Sequence, residues 1–359
     1  MSSTAVAVAT VVESEAAPDI QVVGDSVARS GFLPSALAGE DLIARNDSVA
    51  ASGPPKSYLL LARQFERGHV PKVLVIAHSP HTFAQTRFEV LIGSFAHWSE
   101  IPGVALETRR WLDVFYGVLT RLSYLLMHRD SFRDLVLKRD TTFFTEKDNP
   151  IAMPPDAERL SRFPQRLASG EFDAARIHEE DMAFYRKPFE VTEVNDRYFR
   201  SLLQMARARQ VRVFWVTLPT PQRVLDARRP VGYEADLAEY LAQFERAGLL
   251  TVLKGGFSVY PDRLFRDFLH LNEAGAVRFA CELRATNQPV LQAARSAAGN
   301  EFRKVGTVRR EPGRALALLG GLCQEEATRP SGAGSGAIVA IGPPASADQT
   351  PRRSLAQSP

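Results

Sequence analysis

Five short apolar runs, rich in β-branched residues, alternate with longer segments whose apolar residues recur at helical spacing. The runs cover residues 20–23, 42–45, 72–77, 211–217 and 249–253. The helical segments between and after them cover residues 57–67, 193–209, 233–247 and 272–285. Because a helical crossover returns the chain in the same direction, this alternation predicts an α/β protein with a mainly parallel sheet.

Residues 82–190 interrupt the alternation. They contain helix-like segments and the prolines Pro150, Pro154 and Pro155, but no clear strand. We interpret this stretch as an insertion into an α/β domain that spans residues 19–290. Inserted segments after strand ends often cover the ligand crevice of an open α/β sheet, so this one is expected to influence substrate selection.

The two ends of the chain differ in composition from the domain. Residues 1–18 are predicted to form a flexible N-terminus. Residues 291–359 turn to Arg, Gly, Ser, Pro and Ala, with a Gly/Ser-rich centre at residues 331–336. This composition predicts a disordered tail.

The net charge of +3 comes from the tail. Residues 300–359 hold eight Lys/Arg against five Asp/Glu, and the rest of the chain carries 36 of each. Nucleic-acid binding depends on clustered cations that neutralise phosphates, so a neutral globular part argues against it. No glycine-rich phosphate loop stands between a strand and a helix, and no cofactor is expected.

The two cysteines, Cys281 and Cys323, lie in a predicted helix and in the predicted tail. Neither a disulfide framework nor a Cys-type zinc site is expected from this pair. His78 and His81 lie close together, but no further His or Cys stands at metal-ligand spacing, so no metal site is expected.

No secretory signal is evident in residues 1–18, so a cytoplasmic location is the default expectation. The most hydrophobic helical stretch is residues 111–127, from Trp111 to Met127, but Asp113 and Arg121 interrupt it. A spanning helix needs about 20 largely apolar residues, so this one is not expected to cross a membrane. Basic residues flank its apolar face, which leaves contact with a membrane surface and ordinary packing as alternatives.

The tripeptide Gly24-Asp25-Ser26 directly follows the first apolar run, and Asp267 and His270 precede the last helical segment. A serine at a strand-to-helix turn exposes its hydroxyl near backbone N–H groups that can hold an oxyanion. The serine becomes nucleophilic when an imidazole accepts its proton and a carboxylate fixes the imidazole tautomer. The combination predicts a serine hydrolase, although each piece alone also fits an ordinary turn or helix cap.

Four stretches resemble the SGNH/GDSL hydrolase superfamily, in particular its bacterial branch related to alginate and cell-envelope polysaccharide O-acetylation proteins. They are residues 22–26, 46–55, 73–78 and 267–272, within a resemblance that covers residues 19–81 and 190–290. The resemblance implies a flavodoxin-like three-layer α/β/α sandwich, with Ser26 as nucleophile, His270 as general base and Asp267 as its orienting carboxylate. It also implies an acyl ester or acylated saccharide as substrate, and the periplasm or cell envelope as the alternative location.

The same family binds the oxyanion with the N–H of the nucleophile, a glycine after the second strand and an asparagine after the third. Ser26 and Gly53 match the first two, although a turn glycine before a helix would look the same as Gly53. In place of Gly-x-Asn-Asp this chain has residues 77–80, Ala-His-Ser-Pro. Alignment by strand end makes Ser79, or failing it His78, the expected third donor.

The expected activity is acyl transfer through an acyl-Ser26 intermediate, either to water as an esterase or to a sugar hydroxyl as an O-acyltransferase. These two reactions share one mechanism, and sequence does not separate them. The missing asparagine motivates an alternative, a catalytically degenerate carbohydrate-binding or assembly protein, because losing an oxyanion donor costs about 100- to 1,000-fold in turnover. A membrane-surface partner is a third hypothesis.

Overall fold

The structure, a computed structural model, describes residues 17–39, 41–86, 88, 91–123, 156–169, 185–254, 257–298 and 311–328. Its strands are β1 (Ile20–Gly24), β2 (Ala44–Asn46), β3 (Val73–Ala77), β4 (Arg212–Val216), β5 (Thr220–Pro221), β6 (Thr251–Lys254) and β7 (Val259–Tyr260). The main sheet has the order β2-β1-β3-β4-β6 with all neighbours parallel, and β5 and β7 form a separate parallel pair. The predicted α/β class and mainly parallel sheet are confirmed.

Helices pack on both faces of this sheet. Those described are α1 (Ser26–Gly31), α2 (Pro54–Glu66), α3 (Ile101–Thr108), α4 (Trp111–Leu122), α5 (Asp156–Ser169), α6 (Glu193–Ala208), α7 (Gln222–Arg228), α8 (Tyr233–Arg246), α9 (Glu273–Thr286), α10 (Gln288–Ala298) and α11 (Glu311–Thr328). Alternate strand residues face opposite sides, so Val22 packs with α1, α9 and α10 while Val23 packs with α2, α6 and α8. The arrangement is compatible with a three-layer α/β/α sandwich.

The strand order creates a switch point between β1 and β3, from which the chain proceeds toward opposite edges of the sheet. These two strands pair along their whole length, from Ile20 opposite Val73 to Gly24 opposite Ala77. A Cβ atom on Gly24 would lie 2.4 Å from the carbonyl oxygen of Ala77, so only glycine fits there. Open α/β sheets bind their ligands at the carboxyl ends of strands beside such a switch point.

The described part of the predicted insertion is helical and contains no strand. A π-helical turn at Leu91–Phe95 precedes α3 and α4, and these elements share a core with α2 and α6. An ion pair ties this unit to the domain, since Arg63 Nε on α2 donates to Glu100 Oε1 at 2.7 Å. The insertion is therefore packed against the α/β domain.

The described part of the insertion carries several exposed apolar side chains. Of the exposed large hydrophobic residues that are described, all but Ile43 lie here: Trp98, Leu106, Trp111, Leu112, Phe115, Tyr116, Leu119 and Leu122. In the part of the chain that the structure describes, no helix combines the length and apolar character needed to cross a membrane. Residues 124–127, the end of the predicted amphipathic stretch, lie outside the described residues.

The prediction of a disordered tail from residue 291 onward is wrong for two segments. Residues 291–298 belong to α10, whose Ala293 and Ala294 are buried, and residues 311–328 form α11, whose Leu319 is fully buried in the same core. The tail was judged by its overall composition, which is dominated by the Gly/Ser-rich residues after α11, and the helical spacing of apolar residues in α11 was overlooked. The rest of the tail, like residues 1–16, lies outside the described residues.

The expectation that the cysteines do not pair is also wrong. Cys281 on α9 and Cys323 on α11 form a disulfide, with their Cα atoms 5.5 Å apart. Packing of α11 against α9 brings together two thiols that are 42 residues apart in sequence. No local spacing signals such a pair, because it depends on how two helices dock.

Candidate active site

The turn after β1 is held by Asp25, which caps the N-terminus of α1. Its Oδ1 accepts from the backbone N–H of Val27 at 2.9 Å, and its Oδ2 accepts from the N–H of Ser79 at 2.8 Å. The carboxylate is almost fully buried. Asp25 thus joins the ends of β1 and β3 and fixes Ser26 as the first residue of α1.

Ser26, His270 and Asp267 form one hydrogen-bonded chain. His270 Nε2 lies 2.9 Å from Ser26 Oγ, and His270 Nδ1 lies 2.8 Å from Asp267 Oδ2. With the proton on Nδ1 held by the carboxylate, Nε2 is the acceptor for the serine hydroxyl. The structure therefore brings together the three residues that sequence analysis proposed as a triad.

Asp267 is prepared for this role by its own turn. Its Oδ1 accepts from the backbone N–H groups of Leu269 at 2.8 Å and His270 at 2.7 Å. Burial raises the pKa of Asp267, but hydrogen bonds from the ring and backbone of His270 and from Leu269 outweigh it, so the pKa lies below its usual range. The carboxylate is accordingly ionised at neutral pH, as an orienting partner of histidine must be.

The residues that follow His270 pack so that its ring lies beside Ser26. Asn272 caps α9 through Gly275 N–H, and its Nδ2 donates to the Arg263 carbonyl at 2.7 Å. A Cβ on Gly275 would lie 2.2 Å from the carbonyl oxygen of Leu264, so this close approach requires glycine. The buried Leu271 sits against Gly31 at the end of α1. The two halves of the site are therefore locked through α1 and α9.

A cavity of about 170 Å³ opens beside Ser26. It is smaller than the roughly 300–1,000 Å³ typical of pockets for drug-sized ligands. Its lining combines residues after β1, β2 and β3 with the start of the insertion: Asp25, Ser26, Ala51, Ser52, Gly53, Pro55, Lys56, His81, Thr82, Gln85, Thr86 and Leu91. Gly53, the expected second oxyanion donor, thus shares the cavity with Ser26.

The structure does not place Ser79 or His78 at this cavity. Ser79 is 4% exposed, and its N–H is used by Asp25. His78 is fully buried with Nε2 2.9 Å from Ser57 Oγ, and burial lowers its pKa to about 4. Neither residue lines the cavity that contains Ser26 and Gly53, so the expectation that one of them completes the oxyanion site is corrected. Ser79 follows β3 at the expected position, but its distance from the strand end did not predict which residues line the cavity.

His81 reaches the cavity instead, and sequence analysis considered it only as a metal ligand. It lies in the 3₁₀ turn Pro80–Phe83, which folds back toward the end of β1. Burial lowers the pKa of His81, Asp25 opposes this shift, and Arg228 and His270 reinforce it. Among the described residues, no group of three His, Cys, Asp or Glu side chains could hold a metal ion.

Comparison of the sequence with protein-family models finds no match, and comparison with curated proteins finds no significant relative. The inferences about function therefore rest on the residues and their geometry.

Proposed function

We propose that the protein is a serine-dependent acyl-transfer enzyme, an esterase or O-acyltransferase that works through acyl-Ser26. The observation that carries this proposal is the continuous chain from Ser26 Oγ to His270 Nε2, at 2.9 Å, and from His270 Nδ1 to Asp267 Oδ2, at 2.8 Å. These distances lie within the range required for proton transfer between nucleophile, base and orienting group.

In the proposed reaction Ser26 Oγ attacks the carbonyl carbon of an ester while His270 Nε2 takes the hydroxyl proton. The carbonyl electron pair moves onto oxygen, near the backbone N–H groups of Ser26 and Gly53. Collapse of the intermediate breaks the bond to the alcohol, which leaves with the proton from His270. Water or a sugar hydroxyl then attacks acyl-Ser26 by the same steps in reverse, and Asp267 stabilises the imidazolium throughout.

The strand order and the positions of the four resembling stretches support assignment to the SGNH/GDSL type. When only the five strands of the main sheet are numbered along the chain, their order across the sheet is 2-1-3-4-5, as in flavodoxin-like sheets.

The small cavity favours a short acyl group such as acetyl. An acylated saccharide as the substrate rests on the resemblance alone. The disulfide supports the cell-envelope alternative for location, because disulfides persist in oxidising compartments.

A fluorophosphonate probe tests the proposal, because it reacts covalently only with an activated serine. Peptide mass spectrometry should place the adduct on Ser26, and Ser26→Ala should remove it. Ser296→Ala on α10 is the matched control, since Ser296 Oγ is exposed and only donates to the Gln292 carbonyl. Labelling that persists in Ser26→Ala, or no labelling of the native protein, contradicts the proposal. Retained saccharide binding without labelling would favour the degenerate binding protein.

Nitrophenyl esters of increasing chain length test the acyl specificity. Turnover should be higher with short acyl chains than with long ones, because the cavity beside Ser26 has a volume of only about 170 Å³. Adding a short oligosaccharide to the assay separates hydrolysis from transfer. An O-acyltransferase yields acylated oligosaccharide at the expense of free acid, whereas an esterase yields free acid only.

A further inference from the structure

The proposed reaction develops a negative charge on the carbonyl oxygen, and backbone N–H groups supply only part of its stabilisation. A side-chain donor would have to reach the cavity shared by Ser26 and Gly53. Ser79 and His78 do not line it, as described above. Among the residues that do line it, His81 stands closest along the chain to the end of β3, the strand paired with β1.

The proton state of His81 suits a hydrogen-bond donor. A neutral imidazole carries one N–H group, and it does not compete with His270 as a cation would. Burial lowers the pKa of His81, and the positive charge of Arg228 lowers it further. Arg228 is itself almost fully buried, with its guanidinium carbon 4.4 Å from the ring centroid of Tyr233 and 4.9 Å from that of Tyr185.

The turn that carries His81 is anchored at its far side. Asn195 on α6 is fully buried, and its Nδ2 lies within hydrogen-bonding distance of the carbonyl oxygens of Thr82, Phe83 and Gln85, at 3.1, 2.7 and 3.0 Å. The Phe83 ring packs against Phe199 with centroids 5.2 Å apart. A donor on a turn held in this way is oriented before the reaction begins, which is what makes oxyanion donors effective.

We propose that His81 donates a hydrogen bond from its ring to the oxyanion of the tetrahedral intermediate formed at Ser26. This inference rests on the proposed acyl-transfer function and assigns the third donor of that site. No covalent bond to His81 forms or breaks: the proton of Ser26 still passes to His270 and then to the leaving alcohol. His81 contributes only to the stabilisation of the negative oxygen.

The test compares His81→Ala with His81→Asn on a nitrophenyl acetate substrate. His81→Ala should lower kcat by about 100- to 1,000-fold with little change in KM, because the lost contact exists only when the oxyanion forms. His81→Asn should recover at least about a tenth of the native kcat, because its amide can donate in the same place. His97→Ala, which removes an exposed histidine of the insertion, is the control and should be unchanged.

The affinity for a boronic acid is a measurement that would not change with kcat/KM if His81 had a purely structural role. The boronic acid forms a tetrahedral adduct with Ser26, and its affinity should fall in parallel with kcat/KM across the His81 variants. If His81→Ala fails to fold, His81→Phe preserves the ring shape and should show the same loss. Native kcat in a folded His81→Ala or His81→Phe variant overturns the inference, and so does a His81→Asn variant as slow as His81→Ala.

Failure of this inference can be told apart from failure of the proposed function. If fluorophosphonate labels Ser26 of the native protein and the His81→Ala variant keeps native kcat, only the proposed role of His81 is contradicted. If the native protein is not labelled, the acyl-transfer proposal itself is contradicted.

Discussion

Breaking the disulfide between Cys281 and Cys323 is expected to destabilise the whole α/β domain, because it joins α9, which follows the His270 turn, to α11. The crosslinked residues are 42 apart in sequence. In the chain-entropy model, a closed loop of this length removes about 13 cal/mol/K from the unfolded state, or about 4 kcal/mol at 25 °C. At about 2.1 cal/mol/K per residue, a folded unit of roughly 250 residues would melt about 8 °C lower without the bond.

The assay compares thermal melting of the oxidised protein, the reduced protein and a Cys281→Ser/Cys323→Ser double variant. Reduced protein and double variant should both melt about 8 °C below the oxidised protein. Reductant should not change the melting temperature of the double variant, which serves as the control. Intact mass after alkylation verifies the thiol state. Two free thiols in protein purified from an oxidising compartment, or a shift below about 2 °C on verified reduction, would refute the reasoning.

Three further predictions concern the triad, the buried histidine and the insertion. Asp267→Asn and His270→Ala should each abolish most of the turnover, and the double variant should lose little more, because the two residues act as a unit; additive losses contradict this. Burial lowers the pKa of His78 to about 4 in the folded state. The unfolded chain, in which histidine keeps a pKa of about 6.5, therefore binds the proton first, and about 3 kcal/mol of stability is lost as pH falls from 7 to 4. The free energy of unfolding of His78→Gln, measured with urea, should change less between pH 7 and pH 4 than that of the native protein. An equal change in both proteins contradicts this. Membrane-surface contact stays a prediction: Leu112→Glu with Phe115→Glu, at residues 84% and 60% exposed, should abolish co-sedimentation with lipid vesicles, whereas Ile43→Glu on a different part of the surface should not. Vesicle binding that survives the double change rules this face out.

The elements that sequence predicted well are those set by local periodicity. Apolar runs that occupy both faces of a buried sheet, such as Val73–Ala77, contain little besides β-branched and aliphatic residues, and their ends are marked by glycine, histidine or proline. The ends of strands place the residues that follow at one edge of a parallel sheet. This explains the position of Ser26 after β1. The Asp267–His270 turn follows β7, outside the main sheet, and reaches Ser26 through the packing of α9 on α1, so sequence indicated the three residue types and their turns but not the contact between them.

Docking and side-chain direction were decided only in the tertiary structure. Ser79 follows β3 at the predicted place, but Asp25 binds its N–H, and the 3₁₀ turn carries His81 rather than Ser79 to the cavity. The Cys281–Cys323 bond required α11 to pack on α9, and the low-complexity residues beyond α11 concealed that helix in the composition. Sequence periodicity reports which face of an element is apolar, and this is enough to predict a sheet and the edge where its strands end. It does not report which distant element covers that face or how a short turn orients its side chains, because these depend on contacts between residues far apart in the chain.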